Sequence, residues 1–226
     1  MEDLTVLLPA KDEEASIGLV IEEVRKELPG CKILVIDNGS KDRTQEISLN
    51  MGAEVLYYNI PGKGNAVKFG LSKITTDYVV MMNSDHTYPA GYARLLYSIL
   101  KNGNPEVDVV VGYRALLEKD SITGVNKFGN WCLSSLASFL YLRKFYDICS
   151  GMWAFKTKVV KQFNIKSSGF TLEADLLTNT LRRKFELEQV PIGYRKRVDG
   201  SKSHLKIGDG LKIGLFLVGG RFGNNK

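Results

Sequence analysis

A chain of 226 residues is long enough for one large domain or two small ones, and 44% hydrophobic with 25% charged residues is the composition of a core-forming soluble protein. A net charge of +6 suits an anionic partner (nucleotide, lipid phosphate, membrane surface or nucleic acid) without choosing among them. The three cysteines, Cys31, Cys132 and Cys149, show no C-x-x-C spacing, so no zinc site or disulfide framework is indicated and a reducing compartment is expected.

The N-terminal stretch "MEDLTVLLPAKDEE" is acidic and its apolar run is too short for a signal peptide. "LTVLLPA" reads as a first strand. A helix is predicted to begin at Asp12 or Glu13, because Ile17, Val20, Ile21, Val24 and Leu28 recur at helical spacing until Pro29-Gly30. "KILVID" is a second strand, and the helix after it is capped near Asp42 and ends at Gly52. "AEVLYYN" is a third strand, "GKGNAVKFGLSKI" a glycine-rich turn opening a helix, and "DYVVMMN" a fourth strand. A helix over residues 92–100 and a fifth strand, "VDVVVGYR", follow. Continuous apolar strands alternating with helices predict an α/β fold with a mostly parallel, doubly wound sheet.

The second half is less regular. It offers an apolar helix around Trp131, a loop "YDICSGMWAF", a helix over residues 172–184, a strand near "LEQVPIGYR" and a basic loop "KRVDGSKSHLKIGDG". Without repeat or linker, the chain reads as a single domain with residues 1–114 as one half, 115–210 as the other, and 211–226 as a short apolar and basic tail. The apolar stretches 131–142 and 211–220 fall short of the ~20 residues that span a bilayer. Each reads either as a buried helix or as an interfacial element whose flanking Lys127, Arg143, Lys144, Lys206, Lys212 and Arg221 face lipid head groups.

Ligands on doubly wound sheets sit at the carboxyl ends of the strands. Polar motifs gather there: Pro9-Ala10, Asp37-Asn38-Gly39-Ser40, Asn83-Ser84-Asp85 and Gly112-Tyr113-Arg114. Asp37 could accept from a base or ribose, or only shape its turn. Lys63 in "GKGNA" opens a helix, an arrangement that suits an anion. G-x-G-x-x-G and the P-loop pattern are missing, which argues against dinucleotide oxidoreductases and P-loop enzymes. Asp85 is the best candidate ligand for Mg²⁺ or Mn²⁺, ions that need one or two carboxylates beside phosphate oxygens, while Asn83 offers only a neutral oxygen. His86 is a weaker candidate beside it. Arg195, Arg197, Lys202, His204 and Lys206 form a basic cluster fit for phosphate, and Arg114, Lys119 and Lys127 a second one beside the apolar helix. Glu173 and Asp175 lie two apart and do not share a helix face; one could orient an acceptor while the other favours the helix start.

In their order, "PAKDEE", "IDNGSKDRT", "GKGNA", "NSDHTYP", "DICSGMWAF", "GFTLEADLL" and "VPIGYRKRVDGSKS" resemble the family 2 glycosyltransferases of GT-A (Rossmann-like) fold, most closely the dolichyl-phosphate mannosyltransferase-like branch, over residues 4–210. The resemblance implies that Pro9, Ala10, Glu13, Asp37 and Lys63 bind the nucleotide sugar. It implies a metal corner of Asn83, Ser84 and Asp85 with Thr87 as a further ligand. It puts Arg114, Lys119 and Glu173 on the acceptor, Arg197 and Lys202 in a basic loop over the diphosphate, and Asp175 near an acceptor-side acid. Three departures stand out: Asn83 replaces an Asp, "GSKS" shifts the usual Gly-x-Ser-Lys order, and no membrane-spanning helices follow.

The expectation is inverting transfer of a hexose from a nucleotide diphosphate sugar to a polyprenyl phosphate, with Asp85, Arg197, Arg114 and Asp175 as catalytic residues and Mg²⁺ or Mn²⁺ as cofactor. A cytoplasmic protein, peripheral at the cytoplasmic face of a membrane, is expected. The alternatives are a family 2 transferase acting on a glycan hydroxyl, which needs a base, and a non-catalytic binding module for the same ligands. Nucleic acid is not expected, because the basic residues lie beside apolar segments and not among exposed aromatics on a β face.

Overall fold

The computed structural model describes residues 1–199 and 207–222. Strand β1 (Leu4–Ala10) leads to helix α1 (Ile17–Glu27), then β2 (Lys32–Asp37), α2 (Thr44–Asn50), β3 (Glu54–Tyr57), α3 (Lys63–Lys73), β4 (Tyr78–Met81) and α4 (Ala90–Asn102). Next come β5 (Val107–Leu117), α5 (Gly124–Tyr141), β6 (Trp153–Lys156), α6 (Thr157–Val160), α7 (Leu172–Arg182), β7 (Glu186–Tyr194) and α8 (Ile207–Phe222). One seven-stranded sheet runs β3-β2-β1-β4-β6-β5-β7. β6 pairs antiparallel with both β4 and β5, and the other neighbours pair parallel.

The buried side chains fall into two groups. One joins α1 and α4 to residues such as Leu8, Val80 and Val110; the other joins α3, α5, α7 and α8 to residues such as Leu7, Met81 and Val109. Alternate residues of each strand therefore enter different groups, as the two-residue period of a strand requires. Trp153 and Phe155 of β6 stack 5.9 Å apart, at most 1% exposed.

Two expectations change. Residues 12–14 are not helical. Their amides donate instead to Ser40 Oγ, Thr44 Oγ1 and Asp42 Oδ2, tying the end of β1 to the loop after β2, and α1 starts at Ile17. "WAFK", expected within a loop, is β6, a strand of only four residues and too short to show a period. Within the one domain, α8 buries Ile213 and Leu217 against α5 and α7. Among the described residues no helix is long and apolar enough to cross a membrane.

Candidate active site

The order in which strands are added reverses at β1, with β2 on one side and β4 on the other. A cavity of about 810 Å³ opens there, beyond the carboxyl ends of the strands. Its lining carries Pro9 and Ala10 at the end of β1, Glu13 beyond it, Asn38 after β2, Lys63 at the start of α3, and Asn83, Ser84 and Asp85 after β4. Arg114, Asp147, Glu173 and Arg197 add charge to it. The same lining takes in the apolar side chains of Leu117, Ile122, Val125, Trp131, Phe170 and Ile213, with the polar Asp120, Thr123, Asn126, Lys127 and Asn130 among them.

The corner after β4 is locked from both neighbours. Ser84 Oγ donates to the Pro9 carbonyl at 2.6 Å, and Ser16 Oγ lies 2.9 Å from the Ser84 carbonyl and 2.8 Å from Glu13 Oε2. Asp85, 3% exposed, accepts on Oδ1 from the Thr87 hydroxyl at 2.6 Å and the Thr87 amide at 3.2 Å. Its Oδ2 meets Arg197 Nη2 at 2.6 Å, while Arg197 Nη1 is 3.8 Å from Glu13 Oε1. Asn83 Oδ1 accepts from Lys63 Nζ at 2.8 Å, and the same ammonium reaches Glu173 Oε1 at 2.6 Å.

"GKGNA" owes its glycines to packing. A Cβ on Gly62 would run into the Ser168 carbonyl and one on Gly64 into that of Ser167. That close approach aims Lys63 at Asn83 and Glu173. Asn38 spans the same loop, donating to the Tyr58 and Ile60 carbonyls and accepting the Gly62 amide.

Elsewhere on the lining, Arg114 donates through Nε and Nη2 to both oxygens of Asp147, at 2.6 and 2.8 Å, and lies over the Tyr194 ring at 5.1 Å. Burial alone would push the Asp147 carboxyl up, but the Arg114 charge and its hydrogen bonds hold it below the usual carboxylate range. Tyr88, 1% exposed, packs edge-on against Tyr194 and accepts the Gly151 amide; burial raises its phenol. Cys149, next to Glu173 on the lining, is pushed by burial to about 12, so its thiol stays protonated.

Several expected site residues lie elsewhere. Asp175 is outside the lining: it accepts the amides of Lys166 and Ser167 and the Asn179 side-chain amide, holding the loop before α7, and burial raises its carboxyl. Lys119 is exposed and also outside the lining. Thr87 turns its hydroxyl to Asp85, which leaves it a support for that carboxylate. Asp37 is 2% exposed and accepts the Ser40 amide, and it is the adjacent Asn38 that reaches the cavity. His86 points at Glu23 and Arg195, both 3.2 Å away, and not into the corner. Lys202, His204 and Lys206 fall outside the described residues. Asn38 and Asp147 carried no expected role, although both stand inside the quoted motifs.

Among the described residues no group of three or more His, Cys, Asp or Glu is placed to hold a metal ion. Within Asn83-Ser84-Asp85 only Asp85 is a carboxylate, and Glu13 and Glu173 beside it are engaged with Arg197 and Lys63, so these donors fit a divalent cation only alongside phosphate oxygens from a substrate.

The fold is shared with a crystallised glucosyl-3-phosphoglycerate synthase from Mycobacterium tuberculosis, in complex with Mn²⁺, uridine-diphosphate-glucose and phosphoglyceric acid. The two chains are 21% identical with a TM-score of 0.78, over 99% of this chain and 81% of that one. In sequence the chain is 34% identical over 215 residues to glycosyltransferase AglJ of Haloferax volcanii, covering 94% of this chain and 70% of the relative. It is 31% identical over 218 residues to the dolichyl-phosphate hexose transferase of the same organism, covering 96% and 93%. The family described as glycosyl transferase family 2 matches residues 5–163, which carry every strand that frames the polar corner except β7. With that match and those relatives, the chain belongs to glycosyl transferase family 2.

Proposed function

We propose that the protein transfers a hexose, with inversion, from a nucleotide diphosphate sugar to a polyprenyl phosphate at a membrane surface. One observation carries the reading: one cavity joins a corner rich in cations and carboxylates to apolar side chains of α5 (Val125, Trp131, Leu133), α8 (Ile213) and the end of β5 (Leu117). The first suits a diphosphate and the second an isoprenoid chain. Relatives named for dolichyl-phosphate hexose and glucosyl transfer point the same way.

Nucleotide and sugar lie along Pro9, Ala10, Asn38 and Lys63 in this reading, with Asp37 supporting the turn beneath the base. Mg²⁺ or Mn²⁺, held by Asp85 and diphosphate oxygens, would neutralise the charge that builds on the leaving group. Arg197 adds a fork that fits phosphate oxygens, and Lys63 a compact charge. Arg114, oriented by Asp147, and Lys127 on the lining face the acceptor phosphate. Glu173 is ion-paired to Lys63. It thus acts as an anchor and not as a base, and a phosphate acceptor, ionised near neutral pH, needs no base. The reaction then depends on orientation and on electrostatic stabilisation of the leaving diphosphate.

The test is incubation with labelled nucleotide sugars and short polyprenyl phosphates, with and without Mn²⁺, followed by extraction into organic solvent. Labelled lipid is expected with at least one donor, reduced by roughly 10²-fold or more in Asp85→Ala and kept in Asn83→Asp. No labelled lipid with any donor would sink the reading.

A further inference from the structure

Asp85 Oδ1 already accepts two hydrogen bonds from Thr87, which makes Oδ2 the oxygen more open to a cation. That oxygen, Oδ2, touches Arg197 Nη2 at 2.6 Å. A divalent ion and the Arg197 guanidinium therefore compete for the same carboxylate, and like-charge repulsion disfavours their holding it together. Among the described residues, the carboxylates Glu13, Asp85 and Glu173 of the corner meet the cations Lys63 and Arg197. A bare divalent ion thus meets carboxylates that already hold cations. An incoming diphosphate offers the guanidinium anionic oxygens that its planar fork can take in pairs. Glu13, 3.8 Å from Nη1, keeps the group near while it changes partner.

We infer that Arg197 is a resident counter-cation whose transfer from Asp85 to the diphosphate couples divalent-ion binding to nucleotide binding. The inference rests on the nucleotide-diphosphate reading above. The ion is admitted when the diphosphate draws Arg197 away, and each ligand raises the affinity of the other by the same factor. The protein thereby discriminates against metal without donor.

Mn²⁺ binding, read by electron paramagnetic resonance, and binding of UDP and GDP, read by calorimetry, test this in the wild type, Arg197→Gln and Arg195→Gln. Arg197→Gln is expected to bind Mn²⁺ alone at least about fivefold more tightly, the low end of ordinary coupling factors. It is expected to bind UDP or GDP alone more weakly and to lose most of the mutual enhancement. Shifts of opposite sign cannot come from general damage to the fold. Arg195→Gln removes the same charge from Glu23 and His86 and should leave Mn²⁺ affinity unchanged. An unchanged or weakened Mn²⁺ affinity in Arg197→Gln overturns the inference, as does equal tightening in Arg195→Gln, and the nucleotide-sugar reading survives either result if nucleotide still binds. Failure of both UDP and GDP to bind wild type in the presence of Mn²⁺ removes that reading and the inference together.

Discussion

Arg114 and Asp147 meet across 33 residues of chain, with side chains 13% and 3% exposed. Charges so far removed from water must be paired, and removing one partner strands the other. Asp147→Asn is expected to cost about 3 kcal/mol, from the uncompensated guanidinium it leaves. The pH dependence follows from the direction of the shift. The folded carboxyl is depressed, so its contribution is complete above the unfolded value of about 4 and is lost as pH falls through the lower folded value. Urea unfolding of wild type and variant should show a full gap at pH 7 that narrows on acidification below about pH 4; a gap that widens in acid would refute the pairing. Arg114 was legible from its place at a strand end. Asp147 was not, since nothing local announces a partner 33 residues away. The same blindness left Glu173 and Asp175 unseparated: two positions apart on one helix start, they differ only in which distant groups they meet, Lys63 for one and the Lys166 and Ser167 amides for the other.

Helices α5 and α8 pack side by side, with Gly214 close to Leu133 and Leu136, yet each keeps an apolar stripe facing outward. On α5 the stripe is Phe128, Trp131 and Phe139, continued by Leu142 just past its end; on α8 it is Leu211, Leu215, Val218 and Phe222. Their spacings of three, four and eleven residues keep each set on one helix face. The sequence left both segments open between buried and interfacial; in the structure Ala137, Ile213 and Leu217 face inward while the stripes are exposed. Periodicity alone could not separate these faces, because both are apolar. Contiguous exposed apolar surface of this kind marks a contact with another phase or partner. Replacing Phe139 and Leu215 together by Ser, both outside the cavity lining, should lower partition onto liposomes several-fold. The same variant should lose less than about 0.5 kcal/mol of stability and should process a short-chain polyprenyl phosphate in solution as wild type does. Loss of turnover with that soluble acceptor would place the stripes in the chemistry and not in docking.

For the whole molecule, alternation of apolar strands with helices was enough to foretell a mostly parallel sheet with its site at the carboxyl ends of the strands. It could not foretell that β6 enters between β4 and β5, since strand order is decided by packing after the chain has closed on itself. That insertion carries the loop after α5, with Asp147 and Gly151, to the cavity; a Cβ on Gly151 would lie 2.5 Å from Asn83 Oδ1. Charge acts at this scale too. With a net +6, and with Lys127 and Lys212 beside the apolar stripes, attraction to an anionic surface and apolar contact should add. A single weak hydrophobic signal holds a protein at a membrane only marginally, and a basic patch supplies the second. Salt separates the two contributions, because the screening length falls from about 10 Å at 0.1 M to about 3 Å at 1 M while apolar burial persists. Sedimentation with vesicles containing phosphatidylglycerol should therefore be strong at 0.1 M salt and reduced at least about tenfold at 1 M. Vesicles of phosphatidylcholine alone should retain only the weak, salt-insensitive remainder that Phe139→Ser with Leu215→Ser abolishes. Equal binding to both vesicle types at every salt concentration would show that the positive charge serves the nucleotide and acceptor phosphates alone.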